Sequence, residues 1–167
     1  KGMTLKSDFF KHQAQTSPYP LCIEISHAKG SYIYDINGKK HLDFVAGVSA
    51  NSLGHNHPKV SGAIKNQIDN YAHVMVYGEF IQQPQVNLCK LLASTLPKSL
   101  ASVYITNSGT EATEASIKIA RKYFHKIGKP EKNRIITFEG AFHGRTLAAL
   151  FAANNPKHTD GFGPKVD

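Results

Sequence analysis

Two short stretches carry residue types that could do chemistry. The first is Asn107-Ser108-Gly109-Thr110-Glu111. Ser108 and Thr110 bring hydroxyl groups, and Gly109 lets the backbone come close to an anion. If a helix opens here, its free amide N–H groups and the positive end of its dipole face the same point. That is a cradle for one phosphate group. The same residues also satisfy a purely structural demand. Ser108 followed three residues later by Glu111 is a capping box, which needs no ligand. The stretch lacks the G-x-G-x-x-G pattern and the lysine of a G-x-x-x-x-G-K-[ST] loop. A phosphate monoester therefore suits it better than a dinucleotide or nucleoside triphosphate.

The second stretch is FEGAFHGRT at 138–146. Phe142 offers a flat ring for stacking a heteroaromatic group, and His143 offers an imidazole. Arg145 offers a planar guanidinium that grips a carboxylate in two-pronged fashion. The chain has three arginines. Arg121 lies on a helix flank and Arg134 starts a strand, so Arg145 alone sits in a strand-to-helix turn. Taken singly, these residues read as a core Phe, a surface His and a solvated Arg. Together at one strand end, beside a phosphate-type turn, they point to a ligand.

The elements that must position these turns follow from the pattern around them. SVYIT at 102–106 and RIITF at 134–138 read as buried strands, each running into one of the turns. The first turn opens a helix over roughly 110–126, stopped by Gly128 and Pro130. TLAALFAA from Thr146 starts another. Strand, helix, strand, helix at this spacing predicts a parallel sheet covered by helices, with ligands outside the carboxyl ends of its strands. Upstream, LCIEIS at 21–26, SYIYDI at 31–36 and KHLDF at 40–44 predict a small antiparallel sheet, with Asn37-Gly38 as a two-residue hairpin turn. A weak helical signal covers 4–14. Val60, Ile64, Ile68 and Tyr71 mark a helix from Pro58, and Val86, Cys89, Leu92 and Leu96 mark another from Pro84 to Pro97.

Composition narrows the class. With 167 residues, 41% hydrophobic and 19% charged, the chain is expected to be soluble and globular, and no run approaches a membrane span. No signal peptide is visible, and two separated cysteines, Cys22 and Cys89, suit a reduced, cytoplasmic protein. The net charge is +8, but seventeen of the twenty basic residues are scattered lysines. Without an Arg-rich or aromatic-interleaved stripe, nucleic acid is not an expected partner. His55-Asn56-His57 lacks a clear third ligand, so it reads as a tight turn rather than a metal site. Glu111 and Glu114 suit the positive end of a helix dipole. Lys1-Gly2 before Met3 reads as a tag remnant. The ending GFGPKVD suggests the front part of a longer protein.

NSGTEATE at 107–114 and EGAFHGRT at 139–146, in this order and at this separation, resemble the class III pyridoxal-phosphate aminotransferases of fold type I. Members acting on N-acetylornithine are the nearest in pattern. LDFVAGVSANSLGHNHP at 42–58 and GFGPKVD at 161–167 match as well, so the resemblance runs from about residue 20 onward. It implies an α/β fold: residues 1–55 as an N-terminal arm and small-domain segment, and 56–167 as the first half of a large, mainly parallel-sheet domain. It implies pyridoxal 5′-phosphate as cofactor, with its phosphate on Gly109 and Thr110 and Ser108 alongside. Phe142 would stack on the pyridine ring with His143 beside it, and Arg145 would hold the substrate carboxylate. The implied partners are a small amino-acid donor, a 2-oxoacid acceptor such as 2-oxoglutarate, and a second subunit in a homodimer whose interface carries the active site. The implied Schiff-base lysine would lie beyond residue 167, so none of the lysines present is assigned to it. Ornithine-type members carry tyrosines where this chain has Pro18 and Val48, which leaves N-acetylornithine and 4-aminobutyrate both open as donors. A decarboxylase or racemase branch, or a phosphate-binding fragment without activity, are the competing expectations.

Overall fold

The computed structural model describes residues 4–164; the Lys1-Gly2-Met3 start and the last three residues of GFGPKVD lie outside the described residues. Two compact units form, one up to Phe80 and one from Ile81 on.

The first unit begins with α1 (Leu5–His12). Thr4 caps it by accepting from the Ser7 amide at 3.2 Å, and Lys11 and His12 sit at its negative end. Three antiparallel strands follow in the order β1 (Ile25–Lys29), β2 (Tyr32–Asp35) and β3 (Lys40–Leu42). Tyr34 is opposite His27 on one side and Lys40 on the other. β1 starts later than the pattern at 21–26 predicts. Cys22 has φ 51°, a left-handed conformation that interrupts an extended run. The hairpin turn also differs from expectation. Gly38 takes φ 80°, but Asn37 is not left-handed. The Asp35 carboxylate reshapes the loop instead, its Oδ1 accepting from the amides of Asn37 and Lys39 at 3.0 and 2.9 Å. A wide apolar cavity of about 910 Å³ lies in this unit, lined in part by Phe9, Leu21, Ile33 and Val45.

The segment after β3 is held by a second aspartate. Asp43 Oδ1 accepts from the amides of Val45 and Ala46 at 3.0 and 2.9 Å. Ala46, Gly47, Val48 and Ser49 then turn left-handed in succession, with φ between 47° and 68°. For non-glycine residues this conformation costs roughly 1–2 kcal/mol each. The chain closes back on the hairpin where Gly30 and His55 exchange backbone hydrogen bonds of 2.9 and 2.7 Å. A Cβ on Gly54 would sit 3.1 Å from the Gly30 carbonyl oxygen, so the close approach favours glycine. Then α2 (Pro58–Asn70) starts with proline in its first turn, as the sequence predicts. Its apolar face, with Ile64 and Ile68 at 54% and 60% exposure, is not covered within this unit.

In the second unit, α3 (Gln83–Ser94) ends where the Thr95 hydroxyl donates to the Leu92 carbonyl at 2.8 Å. The runs 102–106 and 134–138 are not assigned as strands, and the only sheet among the described residues is the antiparallel one in the first unit. Alternation in a sequence specifies extended chain; a strand also needs a neighbour to complete its ladder, and neither run has one here. α4 (Gly109–Lys126) follows the first run. Gly128 at φ 75° and the Lys129 amide, donating to the Phe124 carbonyl at 2.9 Å, stop it as predicted. Arg121 Nε donates to the Asn133 carbonyl at 2.9 Å and ties the second run to α4. α5 (Leu147–Ala152) packs on α4, and a short α6 (Pro156–Thr159), not foreseen from the pattern, packs on α5. Ala149, Leu150 and Ala153 are the buried apolar residues among those described. Among the described residues no helix is long and apolar enough to cross a membrane.

Both aspartates in the first unit also accept from a histidine. His41 Nε2 donates to Asp35 Oδ2 at 3.0 Å, and His55 Nε2 to Asp43 Oδ2 at 2.6 Å. These bonds are the main reason that both carboxyls titrate below the ordinary 3.8. A carboxyl depressed on folding stabilises fully above its unfolded value and loses that contribution as pH falls through the folded value. The first unit is therefore expected to lose stability below about pH 4, and Asp43→Asn to flatten that loss. Urea unfolding followed between pH 7 and pH 3 checks both.

Candidate functional site

α4 is built to start where it does. Ser108 is extended (φ −149°, ψ 160°), and its hydroxyl oxygen accepts from the Glu111 amide at 3.3 Å. Glu111 Oε2 reaches back to the Asn107 amide at 2.8 Å. The capping box is thus present, its return bond displaced one residue towards the N-terminus. It does not consume the helix end. Ser108 accepts through its oxygen and keeps its hydroxyl hydrogen to donate. The amides of Gly109 and Thr110, in the first turn, have no acceptor among the described residues. A Cβ added to Gly109 would meet nothing within 4 Å. Three donors and a positive dipole end therefore face open space, which fits a phosphate group.

Thr110 is placed differently from the simplest expectation. Its hydroxyl oxygen accepts from the amides of Arg145 and Thr146 at 3.2 and 3.4 Å, and its partner in a hydroxyl pair is Thr146, at 3.1 Å. Its amide is free for an anion; its side chain is occupied. The pairing is possible because residue 144 is glycine. Gly144 is buried at φ 130°, and a Cβ there would overlap the Thr110 hydroxyl and come within 2.9 Å of the Thr110 Cα. The structure brings the two candidate turns into direct contact, although 36 residues separate Thr110 from Thr146.

The second turn presents its side chains beside this contact. Phe142 is 68% exposed, and the Arg145 guanidinium lies over its ring at 5.3 Å. No carboxylate pairs with Arg145 among the described residues, so its donors remain available for an anionic ligand. His143 is half-buried, and its Nε2 has no hydrogen-bond partner. An orphaned ring nitrogen beside an exposed aromatic ring and an open phosphate cradle suits a flat, polar, phosphorylated ligand.

Three residues beyond the expected set belong to this geometry: Gly144, Thr146 and Glu114, whose carboxylate accepts from the Thr146 hydroxyl. Glu114 lies four residues after Thr110, on the same helix face, and that spacing is its only sequence signal for this site. Thr146 is the N-cap of α5 but makes no side-chain cap bond. His55 and His57 do not form a ligand set. His55 is engaged by Asp43, and among the described residues no group of three His, Cys, Asp or Glu side chains is placed to hold a metal.

The family profile for class-III aminotransferases matches residues 13–167. This chain belongs to the class-III aminotransferases. Acetylornithine aminotransferase of Agrobacterium fabrum is 45% identical over 147 residues, which is 87% of this chain and 35% of that protein. Among solved structures, adenosylmethionine-8-amino-7-oxononanoate aminotransferase from Methanocaldococcus jannaschii superposes with TM-score 0.88 at 27% identity, over 95% of this chain and 37% of that one. An (S)-enantioselective omega-transaminase from Thermomicrobium roseum does so with TM-score 0.86 at 29% identity, over 96% and 37%. The chain thus spans about a third of the length of the curated relatives it matches. The fold is that of the fold type I transaminases, and the class is pyridoxal-phosphate-dependent.

Gly144→Ala is expected to separate the two turns. Both the left-handed φ and the overlap with Thr110 oppose it, at a cost of roughly 2–4 kcal/mol. A fall in the melting temperature of the second unit's transition, larger than in Gly161→Ala, where the left-handed φ alone opposes a Cβ, checks this.

Proposed function

We propose that the whole protein is a pyridoxal-phosphate-dependent aminotransferase that moves an amino group from an N-acetylornithine-like ω-amino donor to 2-oxoglutarate. The observation that carries this reading is the open N-terminus of α4, hydrogen-bonded to a turn with an exposed ring, an unpaired guanidinium and an unpartnered imidazole nitrogen. The names of curated relatives at 45% and 44% identity support the donor.

When bound, pyridoxal phosphate would supply an electron sink for the C–H bond at the substrate's amino-bearing carbon. The residues of this chain bind and orient. The Ser108 hydroxyl and the amides of Gly109 and Thr110 hold the phosphate, with the dipole of α4 adding favourable potential. Phe142 covers one face of the pyridine ring and excludes water from it. His143 borders the same ring. Arg145 would clamp the carboxylate of donor and acceptor in turn and so orient the substrate for reaction. The lysine that carries the proton belongs to none of these positions. In this reading residues 1–55 serve as the arm and small-domain segment, and 56–167 as the first half of the cofactor domain. A cytoplasmic homodimer with a shared active site completes it.

Arg145→Lys is expected to raise KM for donor and acceptor about tenfold or more, because a point charge cannot replace the two-pronged guanidinium. Steady-state kinetics on the whole protein with N-acetylornithine and 2-oxoglutarate check this, and unchanged constants would refute the role. Preferential turnover of 4-aminobutyrate would replace the donor; production of carbon dioxide or a racemate without amino transfer would replace the reaction.

A further inference from the structure

We propose that Thr146 and Glu114 are positioning residues: a hydrogen-bond chain from Glu114 through Thr146 to Thr110 fixes the ring-stacking turn at 142–145 against the phosphate cradle at 108–110. The proposal rests on the cofactor reading above.

The direction of the chain follows from valence. Thr110 Oγ1 accepts from two amides, those of Arg145 and Thr146. The ionised Glu114 carboxylate has no hydrogen to give, so Thr146 donates to it. A hydroxyl has one hydrogen; Thr146 has spent its own on Glu114 and can only accept from Thr110. The Thr110 hydroxyl hydrogen is thereby committed to Thr146. Each group has a single role, and the polarity is fixed from Thr110 to the carboxylate.

Three further observations agree. Thr146, Glu114 and Thr110 are all half-buried, whereas Glu111 on the same first turns is exposed. A threonine at the N-cap ordinarily bonds an amide of its own helix, but Thr146 leaves α5 without that bond and points to α4 instead. Gly144 supplies the space that the Thr110 side chain enters. The result is a rigid link between one turn that would bind a charged tail and one that would bind a flat ring. A ligand touching both reads their spacing; a ligand touching one does not.

The test uses the whole protein with its cofactor removed. Pyridoxal 5′-phosphate is titrated by fluorescence, its induced visible circular dichroism is recorded, and inorganic phosphate is titrated separately by thermal shift. For Thr146→Val the affinity for pyridoxal phosphate is expected to fall about tenfold, the scale of one charge-assisted hydrogen bond. The induced dichroism weakens with it, while phosphate affinity stays within about twofold because the amide cradle is intact. Thr146→Ser restores both signals. Glu114→Gln, which keeps the shape but not the charge, gives a loss of about threefold and serves if Thr146→Val does not fold. Wild-type affinity and dichroism in the folded variants would overturn the proposal. So would a parallel loss of phosphate and pyridoxal phosphate with a lowered melting temperature, which would mark a merely structural role. Failure of the unaltered protein to bind pyridoxal phosphate would instead overturn the cofactor reading.

Discussion

The Thr110 side chain occupies the room that a side chain at 144 would take, and much of the site depends on that contact. It joins the start of α4 to the start of α5. Both helices begin at turns, and turns are where backbone donors are left unpaired. Setting two such ends together concentrates free donors and exposed side chains in one place. The same contact fixes the residue types. A threonine supplies a hydroxyl that accepts two amides, and a glycine supplies both the left-handed conformation and the missing Cβ.

The helix end at Ser108 also settles how a structural and a functional reading coexist. A cap and an anion site draw on the same orphan groups. They do not compete here, because the cap uses the Glu111 and Asn107 amides and leaves those of Gly109 and Thr110. A cap of this form orders the cradle before any ligand arrives, which lowers the conformational cost of binding.

The first unit solves a different problem with a repeated device. Asp35 and Asp43 each use one oxygen to order two backbone amides and the other to accept from a histidine. One carboxylate thus shapes a turn and anchors a distant side chain at once. The left-handed run at 46–49 persists because the chain is held on both sides, by Asp43 and by the Gly30–His55 bridge. Apolar faces such as that of α2 stay exposed in the described residues, so the packing that hydrophobic patterning calls for is not satisfied within this unit.

The sequence by itself determined the helices with clear start and stop signals: α2 from Pro58, and α4 between Ser108 and Gly128. It also named the two turns and their chemically capable side chains, because hydroxyl, aromatic and guanidinium groups are legible one residue at a time. Only the tertiary structure decided what those groups touch. That 102–106 and 134–138 lack ladder partners, that Asp35 reshapes the hairpin, and that the Thr110 hydroxyl points to Thr146 rather than to open space are all matters of distant neighbours. Local propensity is a property of a few adjacent residues, whereas a hydrogen bond across 36 positions exists only once the chain has folded.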